Sequence, residues 1–311
     1  MAEDRKQNEE KMGKMSQKNE TDFISWQGFR IPLMREWRPL KIEGGFRKGS
    51  VAIGDVSGPL FEIRWVRPDA ADFDGRAWIS RNKERSSDNI ASAPPRPQGF
   101  SSVGWIKEFE DKGSSKKTVW WGYSVEGMVL IEIVVGEIID KPSYEWIISE
   151  AIPSLKVSKP DEEWIWRIFS AQFSVPAGFV LERHRLNNGD MSLCFTRGKK
   201  ERLVMRQVYP ADLAVGRRSL EKWFDESPFR ESRKFREAKD GVRCERKKDF
   251  TVDGWKLVPF PFGFVRPRRC RRLAAVDDAS DRIFMTEYEY GKRDSGEAAE
   301  FAMKKMRGGV L

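Results

Sequence analysis

The sequence has one histidine, three cysteines and no long apolar segment, and each scarcity excludes a class of protein. The single histidine, His184, excludes a histidine-based metal site, because zinc usually takes several His or Cys ligands. Cys194, Cys244 and Cys270 are too widely spaced for a disulfide scaffold or a CxxC metal site, and they indicate a reducing, cytoplasmic compartment. No apolar run approaches the roughly 18–20 residues of a membrane span. The start of the chain lacks the apolar segment of a secretory signal, so we expect none.

The sequence also lacks the short motifs that mark phosphate loops and hydrolase active sites. It contains no GxxxxGKS or GxxxxGKT, no GxGxxG after a strand, no GxSxG and no HExxH. His184 lies between Arg183 and Arg185, whose like charges should depress its pKa, and we interpret it as a solvated strand residue. Cys194 lies in the alternating segment MSLCF and is interpreted as a small core thiol rather than a nucleophile paired with His184. We therefore expect no cofactor and no metal, and the residues give no positive indication of an enzyme.

Positive charge is concentrated in the second half of the chain. Of the net charge of +9, residues 1–150 contribute 23 Lys+Arg against 24 Asp+Glu, and residues 151–311 contribute 34 against 24. Five arginines without an acid stand within seven residues: Arg266, Arg268, Arg269, Arg271 and Arg272. Pro267 favours an edge strand or an exposed loop here. The arginines either protect an exposed edge from aggregation or contact a polyanion such as nucleic acid.

An internal repeat organises the sequence. Matching segments occur in the same order in both halves: FRIP (29–32) and FSVP (173–176), GSVAI (49–53) and GDMSL (189–193), LFEIRWVRP (60–68) and RLVMRQVYP (202–210). A short helical segment follows each third match, around Trp78 and Leu220. Each half then offers further strands and a closing helix, at 142–152 and 294–307. The preserved order predicts a duplication.

Three segments carry clear local signals. Residues 119–135 read as two strands joined at Glu126-Gly127, where glycine can accept a positive φ. Residues 282–290 alternate as one strand. The last helix has Asp294 as its predicted N-cap and Glu297 three residues later, the pattern of a capping box.

These observations predict an α+β fold of two similar domains, each an antiparallel sheet backed by helices. The predicted division is a disordered tail (1–22), a first repeat (23–157) with a long surface loop (82–104), a linker (158–163) and a second repeat (164–311). One continuous sheet drawn from both halves, or unlike topologies in the two halves, would reject the duplication.

The order of elements resembles the PsbP/Mog1-type α/β/α sandwich. The resemblance rests on an opening strand of the form F-x-I/V-P, a G-S-x-A-I strand, an alternating third strand and a closing helix, and it would cover about 23–157 and 164–311 as tandem copies. The inserted loop 82–104 departs from the compact domain. The resemblance implies a binding or assembly-factor domain rather than an enzyme, and it carries over to no individual residue.

Trp164 and Trp166 share one strand face at the joint, where they either hold the repeats together or bind a partner beside the basic face. The expected function is a non-catalytic binding or assembly module that presents a composite two-domain surface to a protein partner. Two alternatives stay open: backbone-directed nucleic-acid binding through the basic second repeat, and an enzyme with a cleft between the repeats.

Overall fold

A computed structural model describes residues 22–69, 73–83, 94–109, 117–136, 139–169, 171–216, 219–226, 235–237, 243–246, 249–259, 265–291 and 294–308. Asp22 excepted, the predicted tail lies outside these residues, as does the middle of the predicted loop 82–104. The beginning of that loop is helical, and its last residues already belong to a strand.

The first half forms nine strands and two helices among its described residues. In chain order they are β1 (Asp22–Trp26), β2 (Phe29–Leu33), β3 (Arg38–Gly44), β4 (Lys48–Asp55), β5 (Gly58–Val66), α1 (Gly75–Lys83), β6 (Ser102–Phe109), β7 (Lys117–Ser124), β8 (Val129–Val135), α2 (Lys141–Trp146) and β9 (Lys156–Val157). A π-helical turn (Ile147–Ala151) continues α2.

The second half repeats this sequence of elements with additions. Its described elements are β10 (Trp164–Ile168), β11 (Ala171–Val175), β12 (Val180–Asn187), β13 (Asp190–Arg197), β14 (Glu201–Val208), α3 (Ala211–Val215), α4 (Leu220–Glu226), β15 (Phe235–Glu237), β16 (Arg243–Arg246), β17 (Asp249–Pro259), β18 (Val265–Asp277), β19 (Arg282–Tyr290) and α5 (Glu297–Gly308).

The strands form three antiparallel sheets, and strands dominate the fold. The first sheet has the order β3-β4-β5-β8-β7-β6, and the second sheet has the order β12-β13-β14-β19-β18-β17-β15, with β16 also pairing with β17. Each sheet thus places a three-strand meander beside three later strands in reverse order, and the second sheet adds the short strands β15 and β16, which both pair with β17. The α+β class is confirmed in this coarser form, and the two halves have like topologies.

The remaining strands form a central sheet with the order β11-β10-β1-β2-β9. It joins the β1–β2 hairpin of the first half to the β10–β11 hairpin of the second, and Ser25 faces Arg167 where β1 meets β10. The sequence did not predict this sheet, and a continuous sheet drawn from both halves is the arrangement that was expected to reject the duplication. The division at 158–163 therefore stays a prediction, supported by the like topologies and opposed by the shared sheet.

One hydrophobic core extends through both halves. Inner-face residues of all three sheets belong to the same buried cluster, including Trp26, Trp65 and Phe195. Helix α5 packs between the second sheet and β11, and the end of α2 packs on β2. Burial of this apolar surface, rather than the linker, holds the halves together.

The local predictions have mixed outcomes. The hairpin of β7 and β8 and the strand at 282–290 are confirmed. The positive φ of the hairpin turn falls on Met128 (47°) and not on the predicted Gly127. Helix α5 begins at Glu297, and the Asp294 carboxylate accepts from the Gly296 N–H at 2.8 Å. The predicted capping box is therefore wrong in register, because Asp294 precedes the helix by three residues and also accepts from the Tyr288 hydroxyl.

Candidate functional site

The arginine-rich strand is interior to its sheet rather than at an edge. Strand β18 lies between β17 and β19, so the prediction of an exposed edge is wrong for most of its length. Over Val265–Arg268 the described pairing is with β17 alone, and Pro267 falls in this stretch, where its missing N–H is tolerated. Residues of opposite parity face opposite sides, as predicted.

Two of the five arginines are held by carboxylates that the sequence analysis did not name. Arg271 pairs with both carboxylate oxygens of Asp253, at 2.7 and 2.9 Å, and with Glu300 at 2.7 Å. The bonds to Asp253 raise the Arg271 pKa further above its ordinary value. Arg272 is buried and donates to Glu287 at 2.9 Å.

The other arginines of the strand do not form one accessible strip with these two. Arg268 donates to the carbonyl oxygens of Lys199 and Lys200, at 2.8 and 3.0 Å. The Arg269 guanidinium lies 5.8 Å from the Trp255 ring on the opposite face. The side chain of Arg266 lies outside the described residues. A phosphate backbone would therefore meet Arg268 and its two lysine neighbours rather than five aligned arginines.

Trp164 and Trp166 are both buried at the joint between the halves. Trp166 packs edge-on against Trp26, with ring centroids 5.0 Å apart, and against Phe195 at 5.1 Å. Trp164 stacks on Phe46 at 6.0 Å. The contacts with Trp26 and Phe46 cross from one half to the other, and both tryptophans are buried, so neither ring offers an open surface to a partner.

Arg67 sits at the same joint as a buried cation. Its guanidinium lies about 5 Å from the rings of Phe46 and Trp164 and donates to the carbonyl oxygens of Gly127 and Gln27. Burial lowers the pKa of Arg67 to about 10, which leaves it charged at neutral pH. Among the described residues no carboxylate pairs with it. Arg67 therefore joins two turns of the first half, at Gln27 and Gly127, and packs on Trp164 of the second half.

A small cleft of about 410 Å³ separates the edge strands β3 and β12, and His184 lines it. The imidazole lies edge-on to Trp26 at 5.4 Å, so His184 is half-buried rather than solvated as predicted. The cleft lining consists of Leu40, Lys41, Ile42, Phe169, His184, Arg185, Leu186 and Asn187. These residues supply neither a carboxylate nor a thiol to work with the imidazole, so this lining does not favour the enzyme alternative.

His184 gives a clean titration experiment because it is the only histidine of the chain. Burial lowers its pKa below the ordinary value of 6.5. The unfolded chain therefore takes up the proton at higher pH than the folded chain, and stability falls as the pH drops from that value toward the folded-state pKa. We expect the single imidazole signal in a proton NMR titration to shift below pH 6.5, and His184→Gln to flatten the acid limb of the stability curve. An imidazole pKa at or above 6.5 would contradict this placement.

A groove of about 900 Å³, here called the first-sheet groove, lies on the outer face of the first sheet. Its floor carries Glu62, Arg64 and Val66 of β5 together with Leu130 and Glu132 of β8. Its lining also takes in the β3–β4 turn with Phe46, Trp78 of α1, and Val180 from the start of β12. Val180 belongs to the second half, so the groove combines both halves.

Polar contacts fix the floor of the groove. Arg64 donates to Glu62 at 2.8 Å and to Glu132 at 3.0 Å, and the Trp121 indole donates to Glu132 at 2.7 Å. Burial alone would raise the pKa of Glu62, but hydrogen bonds from Arg64 and Ser50 and the charge of Arg64 hold it below its ordinary value. The floor is therefore a fixed ionic array with a net charge of −1, beside the apolar Val66 and Leu130.

The second sheet has an equivalent surface, which follows from the strand registers. Arg64 and Arg206 match in the repeat, and each faces a serine on the preceding strand, Ser50 or Ser192. Across the sheet, Arg64 faces Glu132, which faces Trp121, whereas Arg206 faces Met285, which faces Ala274. One row further on, Val66 corresponds to Val208 and Lys48 to Asp190.

The chain itself covers this equivalent surface in the second half and leaves it open in the first. Val208 is 8% exposed and packs in a cluster with Ala211 and Trp223 of the two short helices, whereas Val66 is 46% exposed. The side chain of Arg206 is 14% exposed and that of Arg64 is 45% exposed. The first-sheet groove is thus the uncovered counterpart of a surface that α3 and α4 fill.

Side-chain size explains why the two surfaces differ. In the first sheet the Trp121 indole meets Trp78 of α1, with ring centroids 6.4 Å apart. In the second sheet the matching residue is the small Ala274, and Trp223 of α4 lies over the Arg206 guanidinium at 5.8 Å. The Trp121 indole occupies volume that the Ala274 methyl group leaves free in the second sheet. Because closely packed side chains cannot occupy the same volume, α1 stays farther from Arg64 than α4 does from Arg206.

The outer face of the second sheet also carries a buried ionic network. Glu287 accepts from Lys256 and from Arg272, and Glu289 lies 3.3 Å from the Lys256 ammonium and 3.5 Å from Arg202. Lys256 and Glu287 are fully buried. Cys270 is buried beside them, and burial raises the pKa of its thiol, which makes it a poor nucleophile at neutral pH.

No group of three or more His, Cys, Asp and Glu side chains in the described residues could hold a metal ion. No helix in the described part of the chain is both long and apolar enough to cross a membrane.

Comparisons with known proteins give structural likenesses at low scores. No family profile and no curated protein matches the chain. The Ran-binding protein Mog1p of Saccharomyces cerevisiae matches with a TM-score of 0.28 and 10% identity, over 48% of this chain and 88% of that chain. A single-substitution variant of Mog1 matches with a TM-score of 0.27 over the same shares. These scores are low, so we transfer neither a partner nor a site residue to this chain.

Proposed function

We propose that this protein is a non-catalytic binding module and that the first-sheet groove receives a segment of a protein partner. The observation that carries the proposal is the contrast between the halves. Two surfaces of like topology differ in that α3 and α4 cover one, whereas Val66 and Arg64 remain exposed on the other.

The composition of the groove suits a polypeptide. The exposed Val66 and the half-buried Trp78 lie beside the ionic floor. The groove thus combines apolar area with a few convergent polar groups, as binding sites do. Val180 makes the surface a composite of both halves. Nucleic acid is the less favoured partner because Arg271 and Arg272, the central arginines of the basic strand, are occupied by Asp253 and Glu287.

The variant Val66→Asp tests the proposal. A carboxylate on the groove floor would be desolvated by a docked segment without gaining a partner, so we expect roughly tenfold or more weaker binding. Val56→Asp is the matched control, because Val56 is 89% exposed and does not line the groove. The tagged full chain and both variants are used to capture proteins from the cells of origin, with and without nuclease treatment. The captured partner is then purified and titrated calorimetrically.

The expected result is one protein that binds the unmodified chain and the Val56→Asp variant alike, and the Val66→Asp variant more weakly. Equal affinity for all three chains would place the partner elsewhere and contradict the proposal. Capture that nuclease abolishes would favour the nucleic-acid alternative instead.

A further inference from the structure

The second half shows what fills a surface of this kind. Arg206 is held by a bidentate pair with Asp190, at 2.7 and 3.0 Å, and its guanidinium lies over the Trp223 ring, 5.8 Å from the ring centroid. Beside it, Ala211 packs on Val208 in the same apolar cluster. In the second half, therefore, an aromatic ring lies over the arginine of this surface and a small apolar residue lies beside its valine.

The first half has the same two features, an arginine held by carboxylates and a neighbouring valine, and both are exposed. Glu62 and Glu132 hold the Arg64 guanidinium in place, as Asp190 does for Arg206. Lys48 stands where the second half has Asp190, which explains why Arg64 takes its carboxylates from β5 and β8 instead. Among the described residues no aromatic ring lies over Arg64, and Val66 is exposed beside it.

We infer that the ligand of the first-sheet groove is a peptide segment with an aromatic side chain that stacks on the Arg64 guanidinium, while a neighbouring apolar residue covers Val66. The inference rests on the proposed function and names the chemistry of its partner. A planar guanidinium fixed by two carboxylates is a good platform for a ring, because stacking then costs little further side-chain entropy. The segment would repeat what α3 and α4 do within the chain.

A random dodecapeptide library displayed on phage tests this inference with the full chain as bait. Peptides that bind the unmodified chain are passed over the Val66→Asp variant, and those that no longer bind are kept as groove-dependent. We expect Trp, Tyr or Phe to be enriched at one position of these peptides. The affinity of synthetic copies should fall roughly 2- to 30-fold with Arg64→Lys, which keeps the charge and removes the planar stacking surface.

Arg38→Lys is the matched control, because Arg38 is exposed on β3 of the same sheet and does not line the groove. It should leave the affinity unchanged. Groove-dependent peptides without an aromatic preference, or with equal affinity for the Arg64→Lys variant, would overturn the aromatic inference and leave the binding function standing. A library without groove-dependent peptides would count against both. Thermal unfolding of each variant confirms that the fold is retained.

Discussion

Glu287→Gln is expected to lower the free energy of unfolding by about 3–5 kcal/mol, among the largest effects of any single substitution in this chain. Glu287 is fully buried and accepts from both Lys256 and Arg272. Glutamine keeps the shape but removes the charge, and its NH2 group cannot accept a hydrogen bond from either cation. Lys256 would keep Glu289, which lies 3.3 Å from its ammonium, but the network would lose one of its negative charges. Urea unfolding followed by circular dichroism measures the loss.

A double variant separates charge compensation from simple packing damage. Glu287→Gln combined with Lys256→Met also removes one of the two cations that Glu287 neutralises, so we expect it to be more stable than Glu287→Gln alone. Glu163→Gln is the matched control, because Glu163 forms a partly exposed pair with Lys305 at 3.2 Å. Such pairs contribute about 0–1 kcal/mol. A double variant no more stable than Glu287→Gln would show that the buried network is not held by charge balance.

Trp166→Ala is the second substitution with a large expected effect, about 3–5 kcal/mol. Its ring is fully buried between Trp26 of the first half and Phe195 of the second. Truncation leaves a cavity at the joint that the surrounding sheets can fill only in part. Because the core extends through both halves, we expect the whole chain to unfold in one transition at a lower urea concentration.

Trp255→Ala provides the comparison for this prediction, because Trp255 is half-buried and packs near Arg269 on the second sheet. Its loss should cost clearly less. Two separate unfolding transitions, of which Trp166→Ala shifts one, would mean that the halves are independent domains as the sequence predicted. An unchanged midpoint would mean that the joint contributes little to stability.

The sequence predicted the elements better than their assembly. Alternation in segments such as 282–290 identifies strands because side-chain direction is a local property of extended backbone. The central sheet depends instead on β1 and β10, which are about 140 residues apart and carry no local mark of their pairing. The acids that neutralise Arg271 and Arg272 also come from other strands. The alternation of side chains along β18 tells which face of the sheet each arginine is on, but it does not identify Asp253 or Glu287 as the partner.

The first-sheet groove was missed for a related reason. Glu62, Arg64 and Val66 read as the solvent side of an alternating strand, which is correct but does not distinguish a groove from an ordinary surface. The signal lay in the repeat: Arg64 and Val66 match Arg206 and Val208, yet the first copy has Trp121 where the register places Ala274. Comparison of the copies at facing positions requires the registers, which the sequence does not supply.

Amide hydrogen exchange of the full chain, with and without the purified partner, tests the central claim most directly. Protected amides report where a docked segment slows local opening. We predict added protection in the β3–β4 turn and in β5 around Arg64 and Val66, with no change in the equivalent stretch of β13 and β14. Protection confined to the second sheet, or to the basic end of β18, would contradict the assignment of the groove as the binding site.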